Sequence, residues 1–357
     1  MKDKIITYSF ILVIEGFFLL NLWIPDQKIS FSERRDYQTF PQLTWDSIHS
    51  KDWMNDFDRY TLDQFAFRDS FRSLKAHVVF DVFHNLDNNK IFVKDDIIFK
   101  SEYPINEGSI QRFIQKMNTL KNKYLKNNKV YYSIIPDKNY YLKDSTHLNL
   151  DYGQLYDMVI NGLQDMEFID LRDTLSLNDY YRTDTHWRQE RLLPVAQKLG
   201  NQMGFAINTS YQERKYAPFY GVYYGQSALK LPPDELIYLE NEELKQAIVT
   251  SYEGDNLLYN TSKLGSMDSY DVFLSGATPF ITIENPSKTN EKELIIFRDS
   301  FGSSLTPLLI SAYSKITLVD LRYMNTKVME EFITFENQDV LILYSTLLVN
   351  NSVSIRD

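Results

Sequence analysis

Apolar residues dominate the run from Ile5 to Ile24, which is interrupted only by Thr7, Tyr8, Ser9, Glu15, Gly16 and Asn21. A helix of that length is about 30 Å long, the thickness of one hydrocarbon core. Lys2 and Lys4 precede it, and Pro25 and Asp26 end it. The positive bias favours a cytoplasmic N-terminus with the remainder exported. No small-x-small cleavage pattern follows, which predicts an uncleaved signal anchor rather than a removed leader. Glu15 opposes this reading, because a carboxyl in mid-bilayer costs a few kcal/mol. It is protonated, or paired with a neighbouring membrane helix, or a sign that the run is instead the buried helix of a soluble domain.

Beyond the anchor the pattern becomes amphipathic. Trp53, Phe57 and Tyr60, then Phe67, Phe71, Leu74 and Val78, recur at helical spacing. Ile110, Phe113, Ile114, Met117, Leu120 and Tyr124 define a further helix, whose other face carries Lys116, Lys121, Lys123 and Lys126 and reads as solvated. Lys129 to Ile135 predicts a buried strand ending at Pro136, and Glu167 to Leu171 a shorter one. The last third alternates more plainly. The apolar runs Leu294–Phe297, Ile316–Val319 and Val340–Tyr344 predict strands. Between them, Phe301, Leu305, Leu308, Leu309 and Ala312 share one helical face, with Pro307 tolerable only in a first turn, and Val328–Phe335 predicts a second helix. This β-α-β-α-β order implies parallel pairing. Between Asn201 and Pro286 the periodicity loosens around several Gly and Pro residues and the acidic stretch Glu240–Glu243, as in an insertion or loop-rich lobe. These readings divide the chain into a membrane anchor (1–25), a membrane-proximal helical segment (26–105) and an α/β domain (106–357) with an insertion at about 205–290.

Composition removes several chemistries. With a net charge of −10 and no basic cluster, nucleic acid is not an expected partner. The absence of cysteine excludes disulfides, a thiol nucleophile, iron–sulfur clusters and thiolate zinc sites. No cofactor is expected, because neither a phosphate-binding glycine loop nor a metal motif is present. Asp184 and His186 alone are too few to hold a metal.

The remaining candidates are hydroxyl nucleophiles. Among five histidines, His186 stands out for its setting, Tyr181-Arg182-Thr183-Asp184-Thr185-His186-Trp187. An Asp two residues before a His can orient the imidazole and leave Nε2 as a base. The competing reading makes Asp184 or Thr185 the cap of a helix spanning Arg188 to Met203. The pentapeptide Phe-Arg-Asp-Ser-Phe occurs twice. Ser70 lies inside an amphipathic helix and reads as an ordinary surface hydroxyl. Ser300 follows a buried strand and opens a helix beside Gly302, where ligands bind in open α/β sheets and where helical N–H groups can stabilise an oxyanion. For Ser300, too, a helix cap is the competing reading.

Taken in order, these motifs resemble the DHHW protein family, and more broadly the SGNH-hydrolase-like proteins of polysaccharide O-acetylation, including those of alginate acetylation. The resemblance runs over nearly the whole chain: the anchor, Ser32-Glu33-Arg34-Arg35 through Phe40-Pro41, Asp63-Gln64-Phe65-Ala66-Phe67-Arg68-Asp69, the Tyr181–Trp187 segment and Phe297-Arg298-Asp299-Ser300-Phe301-Gly302. Thr185 replaces the first His of the Asp-His-His-Trp signature, as in the alginate-type relatives. Ser275-Gly276-Ala277 stands where a Gly-Asn would complete the SGNH pattern. The resemblance implies an SGNH-like three-layer α/β/α fold with a mainly parallel sheet, preceded by the transmembrane helix. It also implies Ser300 as nucleophile, His186 as general base and acid, and Asp184 as its orienter. By location rather than by resemblance, oxyanion or substrate contacts are expected from Phe301 and Gly302 beside Ser300, from Arg322 or Tyr323 just after the next strand, and from Tyr181. The implied activity is an extracytoplasmic transfer of acetyl through a serine acyl-enzyme to a polysaccharide hydroxyl, with a membrane O-acyltransferase supplying the acetyl group. An acetyl esterase with the same three residues, or a non-catalytic envelope assembly or carbohydrate-binding protein, remain alternatives.

Overall fold

The computed structural model describes residues 2–143, 146–289 and 292–356. They form two compact units, one of Met1–Asn88 with Tyr224–Leu231 and one of Asn89–Tyr223 with Pro232–Asp357. The first unit opens with the helix Lys2–Trp23, no residue of which is buried. It is apolar and long enough to cross a membrane. Helices Asp52–Asp63 and Arg68–His77 follow, where the aromatic spacing predicts helix. Ser70 lies exposed on the second of them.

The second unit is built on an eight-stranded sheet. Its strands in chain order are β1 (Val130–Ile135), β2 (Glu167–Phe168), β3 (Ile248–Ser251), β4 (Gly254–Asn256), β5 (Phe280–Glu284), β6 (Glu293–Arg298), β7 (Lys315–Val319) and β8 (Asp339–Ser345). Their spatial order is β4-β3-β5-β7-β6-β8-β1-β2. From β7 to β2 every pair is parallel, and β5, β3 and β4 extend the sheet antiparallel. The parallel strands β1, β6, β7 and β8 are mostly apolar and buried because both their faces are covered. Alternation divides their side chains between two cores. Leu294 and Ile296 of β6, with Leu341 and Leu343 of β8, join one core with helix Leu193–Met203 and the segment after Ser300. Ile295 and Phe297, with Val340, Ile342 and Tyr344, join the other beneath helices Glu107–Lys123 and Tyr152–Gly162. The result is the three-layer α/β/α architecture with a mainly parallel sheet.

Several local expectations change in detail. The helix expected after Ser300 is α-helical only over Phe301–Leu305 and tightens to a 3₁₀ segment over Thr306–Ala312, because Pro307 has no N–H to continue the α ladder. The second expected helix is confined to Thr326–Met329, and the strand at Glu167 to two residues. The loosely patterned region supplies the three antiparallel strands and a separate ribbon, Gln212–Phe219 paired with Asp234–Glu240. Its strands are partly exposed, so their apolar runs are broken in sequence.

The connections leave β6 for β7 on one side and return to β8 on the other, which makes the carboxyl end of β6 the topological switch point. Side chains there tie three strand ends together. Asp299, just past β6, accepts from the Ser345 N–H at 2.8 Å and from its hydroxyl at 2.7 Å. Just past β8, the Thr346 hydroxyl donates at 2.8 Å to Asp137, which lies just past β1. Burial holds the Asp137 carboxyl above its usual range, although Tyr152 and Thr346 both donate to it.

Candidate active site

Asp184 and His186 sit in a tight loop closed by the Tyr180–Trp187 bridge. The Tyr181 N–H donates to the His186 carbonyl at 3.1 Å. Buried Asp234 holds the outside of the loop, accepting from the N–H groups of Arg182 (3.0 Å) and Thr183 (2.8 Å) and from the Thr183 hydroxyl (2.6 Å). Lys138, fully buried after β1, donates to the carbonyls of Tyr181 and Arg182, each at 3.1 Å, and of Asp184 at 2.8 Å. Burial lowers its ammonium pKa to about 7, against the opposing pull of Asp184, Asp234 and Asp137.

The loop presents the imidazole to Ser300. Asp184 Oδ1 lies 2.6 Å from His186 Nδ1 and accepts the His186 N–H at 3.0 Å. Its Oδ2 accepts the Val222 N–H at 2.7 Å. On the other side of the ring, Nε2 lies 2.8 Å from Ser300 Oγ. The Tyr270 ring stacks on the imidazole at 3.8 Å and 6°, and its hydroxyl is anchored 2.8 Å from Ser304 Oγ. Trp187 Nε1 donates to the Phe301 carbonyl at 3.0 Å, tying the histidine loop to the turn that carries the serine. In this arrangement Nδ1–H donates to the carboxylate and Nε2 can take the hydroxyl proton.

Both cap readings are set aside by this geometry. Helix Leu193–Met203 begins at Leu192 with no side-chain cap, and Asp184 is engaged by His186 and Val222. The Ser300 hydroxyl makes no cap bond; Asp299 takes that role, accepting from the Phe301 N–H at 3.0 Å.

The remaining expected contacts separate into two groups. Arg322 and Tyr323 line a groove of about 400 Å³ with Ser300, Phe301, Leu347 and Asn351. Arg322 is fixed by Asp320, to which Nε and Nη2 donate at 2.9 and 2.6 Å. Tyr323 is exposed. The backbone donors of Phe301 and Gly302 are already engaged, the first by the Asp299 carboxylate and the second by the Asp299 carbonyl at 3.1 Å. Among the described residues the Ser300 N–H has no acceptor, which makes it the backbone donor available to an oxyanion. The Tyr181 side chain is fully buried against Phe219, where it offers no surface to a substrate. Among the described residues no group of three His, Asp or Glu is placed to hold a metal ion.

Sequence reading overlooked Lys138, Asp234, Tyr270 and Gly221, which support the loop from 46, 50, 86 and 37 positions away from Asp184. The one local hint was Pro136-Asp137-Lys138, a polar turn directly after a buried strand.

The family model described as DHHW protein matches residues 167–319, the span that holds Asp184, His186 and Ser300. No curated protein matches by sequence. Among solved structures, a DHHW family protein from Eubacterium siraeum DSM 15702 is similar with a TM-score of 0.64 at 19% identity, over 75% of this chain and 95% of that one. Bacillus cereus PatB1 is similar with a TM-score of 0.59 at 18% identity, over 73% of this chain and 97% of its own. The O-acetyltransferase domain of Pseudomonas putida AlgJ gives a TM-score of 0.44 at 11% identity, over 74% of this chain and 93% of that domain. Residues 167–319 therefore match the DHHW family model, and the chain shares the α/β fold of the first two of these structures.

Proposed function

We propose that this protein is a serine O-acetyltransferase that moves an acetyl group through Ser300 to a hydroxyl of a cell-envelope or exported polysaccharide. The observation that carries this reading is the continuous line from the Asp184 carboxylate through His186 to the Ser300 hydroxyl, with steps of 2.6 and 2.8 Å. His186 Nε2 takes the Ser300 proton as Oγ forms a bond to the acetyl carbonyl, and the oxyanion lies against the Ser300 N–H. The imidazolium then gives that proton to the departing donor group, which leaves an ester on Ser300. A sugar hydroxyl enters next, loses its proton to Nε2 and attacks the ester. Ser300 leaves with the returned proton. Asp184 holds the imidazole in the required tautomer, and the π face of Tyr270 favours the transient imidazolium.

The helix Lys2–Trp23 supports a protein anchored in the cell membrane with this chemistry on the extracytoplasmic side. Acetyl-CoA is absent there, so a membrane O-acyltransferase would supply the acetyl group. The exposed Tyr323 at the groove is suited to stack on a sugar ring.

The test uses the full-length chain in detergent with a chromogenic acetyl ester and then with oligosaccharide acceptors. Acetate release should survive Ser70→Ala and fall by about a thousandfold or more in Ser300→Ala and His186→Ala. Acceptors should then divert acetyl from water to sugar. Hydrolysis unaffected by any acceptor would make the protein an esterase, and no release by the folded wild type would refute catalysis altogether.

A further inference from the structure

We propose that the helical unit lies in the lipid interface, with the apolar side of helix Arg68–His77 and the turn after it embedded in the bilayer beside the spanning helix. The proposal rests on the reading that Lys2–Trp23 crosses the membrane.

The amphipathicity of Arg68–His77 is inverted relative to that of a helix on a water-soluble domain. The side that carries Arg68 and Arg72 faces inward, while Asp69, Lys75 and His77 lie exposed beside it. Arg68 pairs with Glu33, Arg72 lies 3.2 Å from the same carboxylate, and Arg35 clamps Asp63 through two bonds of 2.7 and 2.5 Å. In this ion cluster the side chains of Glu33 and Asp63 are only 15% and 8% exposed. Its apolar side faces outward, with Phe67 59% and Leu74 57% exposed. Val82 and Phe83, in the turn that follows, are exposed as well. Water should select the opposite arrangement, because apolar surface left uncovered forfeits about 25 cal/mol for each Å². Contiguous patches of this kind mark a surface that meets something apolar.

The same unit shows what that something is. The Phe17 ring of the spanning helix stacks on Phe65 at 5.6 Å and meets Phe71 at 5.7 Å. Asn21, one turn further along, accepts the Ala66 N–H through its side chain at 2.8 Å. Phe17 precedes Ile24 by seven positions, a rise of about 10 Å along the helix axis. A ring in contact with Phe17 therefore sits below the level at which the helix leaves the hydrocarbon. The outward apolar side of Arg68–His77 is continuous with a surface that already faces acyl chains, so lipid is the occupant it fits. Interfacial helices bury their apolar faces about 5–10 Å into this boundary.

The chain contains no cysteine, so single cysteines can be introduced without background and labelled with a bimane fluorophore. Leu74→Cys and Val82→Cys report on the proposed surface, Leu12→Cys on the spanning helix, and Glu253→Cys on an exposed turn of the other unit. The full-length protein is reconstituted in phosphatidylcholine and phosphatidylglycerol vesicles. Each label is then tested with a brominated-acyl lipid and with aqueous iodide. The expected result is loss of emission to the brominated lipid at Leu74, Val82 and Leu12, with protection from iodide, and the reverse at Glu253. Iodide quenching at Leu74 and Val82 while Leu12 stays lipid-quenched would overturn the interfacial placement and leave the anchor standing. Iodide quenching at Leu12 would overturn the anchor and the interface together. Protection of Leu74 and Val82 from both quenchers would assign that surface to protein and overturn the lipid proposal.

Discussion

The support behind Asp184 makes Gly221→Ala the most informative single change. A Cβ at Gly221 would lie 2.3 Å from Asp184 Cβ, 2.4 Å from Asp184 Cα and 2.4 Å from the Thr183 carbonyl oxygen. Carbon atoms pack at about 3.5–4.0 Å, so the two segments must separate by more than about 1 Å. Three bonds resist that movement: Gly221 N–H to Thr183 Oγ at 2.9 Å, Val222 N–H to Asp184 Oδ2 at 2.7 Å, and Tyr223 N–H to the Thr183 carbonyl at 3.0 Å. The contacting atoms are backbone or the first side-chain carbon, so no rotamer change relieves the clash. Overpacking of this kind costs about 1–3 kcal/mol of stability. A 1 Å displacement of a catalytic group costs about a hundredfold in rate. Gly162→Ala is the matched control, because the three atoms nearest its Cβ, at 2.7–3.2 Å, all belong to the Ile114 side chain and none to the segment that carries Asp184. Both variants should lower Tm, while only Gly221→Ala should lower kcat/KM for an acetyl ester, or slow the sulfonylation of Ser300 by a sulfonyl fluoride, per folded molecule. A Gly221→Ala protein that keeps kcat/KM within about threefold of wild type would refute the argument that this glycine sets the Asp184 position.

Other predictions concern Lys138 and Tyr270. The Lys138 pKa is near 7 when folded, against 10.5 for the unperturbed group, so between those values the unfolded chain binds more protons and stability rises with pH. Below pH 7 both states are charged and the penalty of burying the ammonium, on the order of several kcal/mol, is fully present. Denaturant unfolding at pH 7 and pH 9 should therefore show a gain for wild type that Lys138→Met lacks, and equal pH dependence in the two proteins would count against a buried charge here. Tyr270→Phe keeps the ring stacked on His186 and should retain most of the activity. Tyr270→Leu removes the stacked ring and should lower kcat more than it raises KM, whereas a Leu variant as active as the Phe variant would show that the ring does not position His186.

Much of this protein follows from local pattern. The apolar runs at β1, β6, β7 and β8 are continuous because those strands are covered on both faces, and such runs are visible without any knowledge of what covers them. Ser300 could be separated from Ser70 in the same way, since an identical pentapeptide sits after a buried strand in one place and inside an amphipathic helix in the other. The pairing of Asp184 with His186 was also legible, because two residues of separation already bring their side chains within reach. The chain alone was silent on everything contributed from a distance. Tyr270 stacks on His186 from a region with weak periodicity, Lys138 reaches the Asp184 carbonyl from the end of another strand, and Gly221 admits the Asp184 backbone only because it has no Cβ. Periodicity records which side of an element is covered. Which atoms cover it depends on strand order and loop closure, and only the folded chain sets these.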